Sequence, residues 1–305
     1  MKISVILCTY NPREDYLRRT LQSLREQTLP QDFWEFLIVD NNSDVPVKDL
    51  VTVDWHPQGR IVVEEKPGLT HARVCGIKYS SGELLVFVDD DNLLDGNYLE
   101  NALKLKDENS KLGCFGAARL IPEFEEEPHP YLRKFIGYLA VREFGDTQIG
   151  EDVADSKCVP WGAGLCVLRE VAHLFLESVT EKSALQGLGR KGSALLSGED
   201  LLFSWLAVRE GFCVGVHTNI TLRHLISSDR VQKDYLVRIA AGQAYSAVVL
   251  NNALGQANEP SLFIQLRSLV KTLFVKNPWR IGYEFPFGFE RWKARRRAFR
   301  DARIP

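Results

Sequence analysis

GELLVFVDDDNLL, residues 82–94, is the stretch from which the fold can be read. Leu84, Leu85, Val86, Phe87 and Val88 form a short unbroken apolar run, the pattern of a strand covered on both faces in an α/β sheet. Asp89, Asp90 and Asp91 follow at its carboxyl end, where open α/β sheets bind ligands beyond the strand tips. Three neighbouring carboxylates repel one another, and burying them costs several kcal/mol each unless a cation compensates. A hard divalent metal is the simplest such charge. The plain alternative is a solvated acidic turn with Asp95 as N-cap of the next helix.

Upstream, residues 4–8 read as a first strand, ended by Thr9-Tyr10-Asn11-Pro12. Asn11 has the makings of an N-cap and Pro12 of a first helical residue, with Leu17, Leu21 and Leu24 as the buried stripe of the helix that follows. Residues 36–39 form a second strand running into Asp40-Asn41-Asn42-Ser43-Asp44, whose side chains suit either an Asx-turn or ligand contacts. A third strand at 61–63 leads into KPGLTHARVCGIKYSSG, residues 66–82, a helix with Ala72, Gly76 and Ile77 on its packing face and Arg73 inside it.

Downstream, a helix directs Tyr98, Leu99, Ala102 and Leu103 inward. Residues 121–155, with EFEEEPHPY at 123–131, read as an exposed excursion or lid. In VPWGAGLCVLRE, residues 159–170, Gly162 and Gly164 allow close backbone approach and Trp161 offers a flat apolar face, unless the segment is a bulge around a core tryptophan. LLSGEDLLFSWLAVREGF, residues 195–212, places Glu199 and Asp200 in the first turn of a helix with Leu201, Leu202, Trp205 and Leu206 as its stripe. The helix dipole alone favours acids there. A last strand, 214–222, ends in Arg223-His224, and residues 229–254 continue as a long helix.

The 305 residues are 45% hydrophobic and 26% charged, ordinary values for a globular protein with a large core. The formal charge of −2 conceals a basic tail: residues 260–305 hold 11 Lys/Arg against 3 Asp/Glu, the remainder 27 against 37. Six cysteines without a CxxC pair, most within apolar runs, suit reduced core thiols and a cytoplasmic protein. The apolar run in MKISVILCTYN is too short for a signal peptide, and no run of about 18 apolar residues predicts a spanning helix.

SVILCTYNPRE, WEFLIVDNNSD, KPGLTHARVCGI, GELLVFVDDD, WGAGLCVLRE and SGED, in this order, resemble the family 2 inverting glycosyltransferases of the GT-A fold. The resemblance covers residues 2 to about 228. It implies an α/β fold with a Rossmann-like mixed sheet flanked by helices: a catalytic domain at 1–228 and a helical, basic C-terminal extension at 229–305. It further implies that Thr9, Tyr10, Asn11, Asp40 and Asn42 surround the nucleotide, that Arg73 approaches the diphosphate or supports the acidic cluster, and that Asp89 faces the ribose. Asp200 would be the catalytic base, and His224 would complete the sphere of a Mn2+ or Mg2+ ion; the carboxylate ligand stays open between Asp90 and Asp91. Trp161, Gly162 and Glu199 fall on the acceptor side. Cys75 stands where the family usually has asparagine.

The implied activity is transfer of a sugar, with inversion, from a nucleotide-diphosphate donor, a UDP-sugar foremost, to a hydroxyl of a glycan or lipid-linked acceptor in surface polysaccharide synthesis. A sugar nucleotidyltransferase would carry a Gly- and Lys-rich phosphate loop after the first strand, where this chain has TYNPRE. A silent scaffold on the same fold has no need of Asp89, Asp91, Asp200 and His224 together. The tail, with an apolar stripe at 262–275, Trp279, Tyr283, Phe285, Phe287 and the arginines of 291–303, suits either an anionic membrane face, making the protein peripheral, or a helix packed on the catalytic domain. No nucleic-acid partner is expected.

Overall fold

The apolar run at 84–88 becomes the central strand of the sheet because its neighbours are equally apolar and cover it from both sides. In the computed structural model, which describes residues 1–154, 156–192, 194–256 and 278–301, the elements are β1 (Ile3–Thr9), α1 (Glu14–Arg25), β2 (Trp34–Asp40), α2 (Val47–Leu50), β3 (Gly59–Val63), α3 (Leu69–Lys78), β4 (Leu84–Asp89) and β5 (Asn92–Leu94). There follow α4 (Tyr98–Glu108), β6 (Leu112–Phe124), β7 (Arg142–Glu143), β8 (Gln148–Gly150), β9 (Leu165–Leu168) and α5 (Arg169–Glu181). The chain continues through α6 (Ser183–Gln186), α7 (Glu199–Arg209), β10 (Cys213–Ile226), α8 (Lys233–Ala253) and α9 (Pro278–Asp301). The expected helix at 262–275 lies outside the described residues, as do the side chains of Trp279 and Tyr283.

The sheet runs β3-β2-β1-β4-β9-β6-β10-β5, with β7 on β6 and β8 on β10. β1, β2, β3 and β4 are parallel, while β9 joins β4 antiparallel with Phe87 opposite Leu165. The expected mixed α/β sheet flanked by helices is present, and so is a helical C-terminal region. The parallel register sets Thr9 opposite Asp40 and Cys8 opposite Asp89, so the carboxyl ends of three strands meet along one edge. Helices cover both faces: Leu17, Leu21 and Leu24 of α1 are buried, and Phe203 of α7 packs on Phe87 of β4 and stacks 4.1 Å from Phe175 of α5.

Several local expectations change. Asn11 is no N-cap: α1 starts at Glu14 behind Arg13, and Asn11 adopts a left-handed φ of 48° to make the loop contacts described below. Asn97, and not Asp95, precedes α4. Leu201 and Trp205 are half-buried, and the covered face of α7 is formed by Leu202, Phe203, Ser204, Leu206 and Ala207, because the helix is packed on two sides. The last strand extends through Arg223 and His224 to Ile226, and α8 opens at Lys233, after a 3-10 turn at Ser228–Val231.

The chain divides into two compact units. One comprises Met1–Glu123, Ala140–Glu181 and Glu199–Leu225; the other gathers Phe124–Leu139, Lys182–Gly198 and the chain from Ile226 onward. A linear boundary near residue 228 does not anticipate the two earlier segments that join the second unit. Within that unit α8 packs on α6 and α9, Phe135 stacks on Phe287 at 3.7 Å, and Gly242 of α8 lies against the Leu195 carbonyl where no side chain fits.

Candidate active site

All the site residues named from the sequence fall in the first unit. The loops at the tips of β1 and β2 are tied to each other before any ligand arrives. Asn11 donates from Nδ2 to Asp44 at 2.9 Å and accepts the Asp44 N–H at 2.8 Å, while its own N–H reaches Ser43 Oγ. Asp40 is buried and accepts the Ser43 and Val47 amides, one on each oxygen, so it shapes its loop whatever else it binds. Asn42, at φ 62°, is exposed, as is Tyr10, whose ring is 48% accessible beside the strand tip. Asn41 bonds to Glu64 O, Lys66 O and the Gly68 N–H and so stitches the ends of β2 and β3 to the start of α3.

The three acids diverge. The Thr9 hydroxyl donates to the Asp90 carboxylate, and Thr20 holds the Asp90 carbonyl at 3.0 Å. Asp91 turns the other way: Oδ1 accepts from Asn92 Nδ2 and Oδ2 lies 3.3 Å from His224 Nε2. Pairing of β5 with β10 enforces this meeting, with Asn92 opposite His224 and the Leu225 N–H on Asp91 O. Asp91 thus faces the histidine and Asp90 faces Thr9. Neighbouring ligands of an octahedral ion at about 2.1 Å lie about 3 Å apart, so the Asp91–His224 spacing fits a divalent metal. Among the described residues no cluster of three His, Cys, Asp or Glu that could hold a metal ion is assembled.

Arg73 links the acidic tip of β4 to the start of α7. It is 3% exposed, lies over the Phe87 ring, and its Nη2 would stand 2.9 Å from any Cβ at Gly162. Burial works against its charge, but Glu199, Asp89, Cys8 and Asp200 outweigh it and hold the guanidinium above its ordinary value. Glu199, expected to face an acceptor, is itself 3% exposed, and its Oε1 has no hydrogen-bond partner among the described residues. Burial raises its pKa against the pull of Arg73, and the neighbouring Asp200 and Asp89 add to the rise. Glu199 therefore serves as a buried counter-charge near Arg73 and not as a surface contact.

Asp200 Oδ2 accepts the Gly162 N–H at 3.1 Å and Oδ1 the Leu201 N–H at 2.9 Å, which fixes the carboxylate at the mouth of α7. Trp161 is half-buried, and a residue absent from the sequence reading, Arg142, sits over its ring at 4.2 Å. Arg142 is 5% exposed and donates to Val159 O and Ala117 O; burial lowers its pKa to about 10, with Asp200 pulling the other way. It lies inside the segment read as an exposed excursion, of which 125–127 are exposed but Leu132, Leu139 and Arg142 are buried. A lone arginine in a charged stretch carries no pattern that would reveal this.

The family description "Glycosyl transferase family 2" matches residues 4–156, half of the chain. A glucosyl-dolichyl phosphate glucuronosyltransferase from Haloferax volcanii is 23% identical over 85% of this chain and 80% of its own. A putative glycosyltransferase, EpsH, from Bacillus subtilis is 32% identical over 41% of this chain, a match spanning 35% of that protein's length. Among solved structures, S. aureus TarS 1-349 in complex with UDP-GlcNAc superposes with a TM-score of 0.54 at 16% identity, covering 99% of this chain and 92% of that one. The mannosyltransferase PcManGT of Pyrobaculum calidifontis, in complex with GDP-Man and Mn2+, gives 0.55 at 18% identity over 98% and 87%. With half the chain matched by the family and the sheet shared with these structures, the chain belongs to glycosyl transferase family 2 and has the GT-A fold.

Proposed function

We propose that this protein is a metal-dependent, inverting glycosyltransferase that moves a sugar from a nucleotide-diphosphate donor, a UDP-sugar foremost, to a hydroxyl of a glycan or lipid-linked acceptor in surface polysaccharide synthesis. The observation that carries this reading is the convergence on buried Arg73 of two carboxylate groups more than a hundred residues apart in sequence, Asp89 and the Glu199–Asp200 pair. Membership of the family and the UDP-GlcNAc and GDP-Man bound to the similar structures support a nucleotide-sugar donor.

In the proposed reaction the exposed Tyr10 ring and the Asn11–Asp44 tie receive the nucleotide, with Thr9, Asp40, Asn42 and Asp89 around its base and ribose. Arg73 faces the diphosphate side from within the protein. Asp91 and His224 would hold Mn2+ or Mg2+, which when bound offsets the charge that develops on the departing diphosphate. Asp200, held by the Gly162 and Leu201 amides, takes the proton of the acceptor hydroxyl as its oxygen bonds to the anomeric carbon. The bond from that carbon to the diphosphate oxygen breaks in the same displacement, which inverts the centre. Trp161, backed by Arg142, supplies a flat wall on the acceptor side.

Calorimetry with a panel of nucleoside diphosphates, with and without Mn2+, on wild type and Asp91→Ala tests the donor site. Metal-dependent binding of one nucleotide that vanishes in the variant is expected, and no binding of any nucleotide in the presence of metal would point instead to a silent scaffold. Asp200→Asn should leave that binding intact and abolish transfer.

A further inference from the structure

The C-terminal helix α9 presents two chemically opposed faces. Phe287 and Ala298 are buried, and α9 packs against α8. At about 100° per residue, Phe289, Trp292, Lys293, Arg296 and Arg300 fall within an arc of about 100° centred opposite those two residues. Lys293, Arg296 and Arg300 are exposed, whereas Phe289 and Trp292 are half-buried. The cations lie along the rings, with Lys293 Nζ 4.3 Å from the centre of Phe289 and Arg296 5.3 Å from that of Trp292.

The acids of α9 are off this arc and already engaged: Glu290 with Lys293, Asp301 with Tyr245, Arg297 and Arg300, Glu284 with Lys134. Arg291, Arg295 and Arg296 have no acidic partner among the described residues.

We infer that this face of α9 docks on an anionic bilayer surface. Cations and aromatic rings gathered on one stripe match the interface, where rings settle at the level of the headgroups and the charges meet lipid phosphates. A nucleic acid is the poorer fit, because Phe289 is stacked between Phe285 at 5.5 Å and Trp292 at 6.0 Å and its ring faces are not open to bases. Among the described residues no helix is long and apolar enough to cross a membrane, so the contact is lateral. The inference does not depend on the glycosyl-transfer reading, and its test contains neither nucleotide nor sugar.

The test is flotation of the full chain with vesicles of phosphatidylcholine alone, or of phosphatidylcholine with phosphatidylglycerol at about 3:1. Binding to the anionic vesicles only is expected, and Lys293→Glu/Arg296→Glu/Arg300→Glu should weaken it at least a hundredfold, on the order of fivefold per cation. Raising salt from about 0.1 M to about 1 M shortens the screening length from about 10 Å to about 3 Å and should release the wild type. That arm needs no variant, so a folding failure leaves the inference testable. Equal recovery on neutral vesicles, no recovery on either, retention at high salt, or displacement from the vesicles by a single-stranded oligonucleotide would each overturn it.

Discussion

Replacing Arg73 with methionine keeps the volume of the side chain and removes its charge, leaving Glu199 buried with Asp200 and Asp89 as its remaining charged neighbours. Breaking a buried pair in this way costs about 3–5 kcal/mol, because the surviving charge has lost its compensation. Glu199 can escape part of that cost by taking a proton in the folded state. Its folded pKa, already raised, rises further without Arg73, so the folded variant binds this proton more tightly than the unfolded chain does. The sign follows: the deficit relative to wild type is largest at high pH and shrinks as pH falls through the raised value, by up to about 1.4 kcal/mol per pH unit. The deficit should therefore be smaller at pH of about 5 than at pH of about 8. Urea unfolding of both proteins at the two pH values measures it. A deficit below about 1 kcal/mol, or one that does not change with pH, would refute the picture of Glu199 as the buried counter-charge of Arg73.

Three further outcomes follow from other sites. Glu35, 3% exposed, accepts from Ser4 Oγ, the Ser81 amide and hydroxyl, and Arg60; these outweigh its burial and lower its pKa, so Glu35→Gln should cost about 1.5–3 kcal/mol in chemical denaturation at pH 7, with the difference fading below pH of about 4.5. His56, 2% exposed among Trp34 and Trp55, has its pKa pushed down by burial, so thermal stability should fall as pH drops below about 6.5, and His56→Gln should flatten that part of the profile in calorimetric scans. Arg142→Met frees residues 159–162 from Ala117 and should lower kcat roughly a hundredfold through displacement of the Asp200 partner, with nucleotide affinity unchanged in the same calorimetric assay.

What could be read from the sequence was what local chemistry dictates. The run at 84–88 could only be a covered strand, and Leu17, Leu21 and Leu24 could only be one face of a helix; both follow from periodicity. The meeting of Asp91 with His224 was legible only by resemblance, since it depends on β5 pairing with β10 across more than a hundred residues. Asn11 misled because asparagine serves equally as a helix cap and in a left-handed turn, and the partner that decides, Asp44, arrives from another strand. Arg142 was invisible for a related reason. Nothing beside it in the chain announces that its guanidinium meets carbonyls at residues 117 and 159 and the face of Trp161.

That same arginine closes a neck. By holding the Val159 carbonyl it pins together the two ends of the segment 143–158, and the chain beyond the neck returns directly to Trp161, Gly162 and β9. Lengthening a loop whose ends are already joined costs only about 0.6 kcal/mol per doubling. Chain added at the exposed Glu151 and Asp152, beyond the β8–β10 pairing, can therefore lengthen the segment while the Gly162–Asp200 contact keeps its place, so that a new partner molecule can be accommodated without rebuilding the groups beneath it.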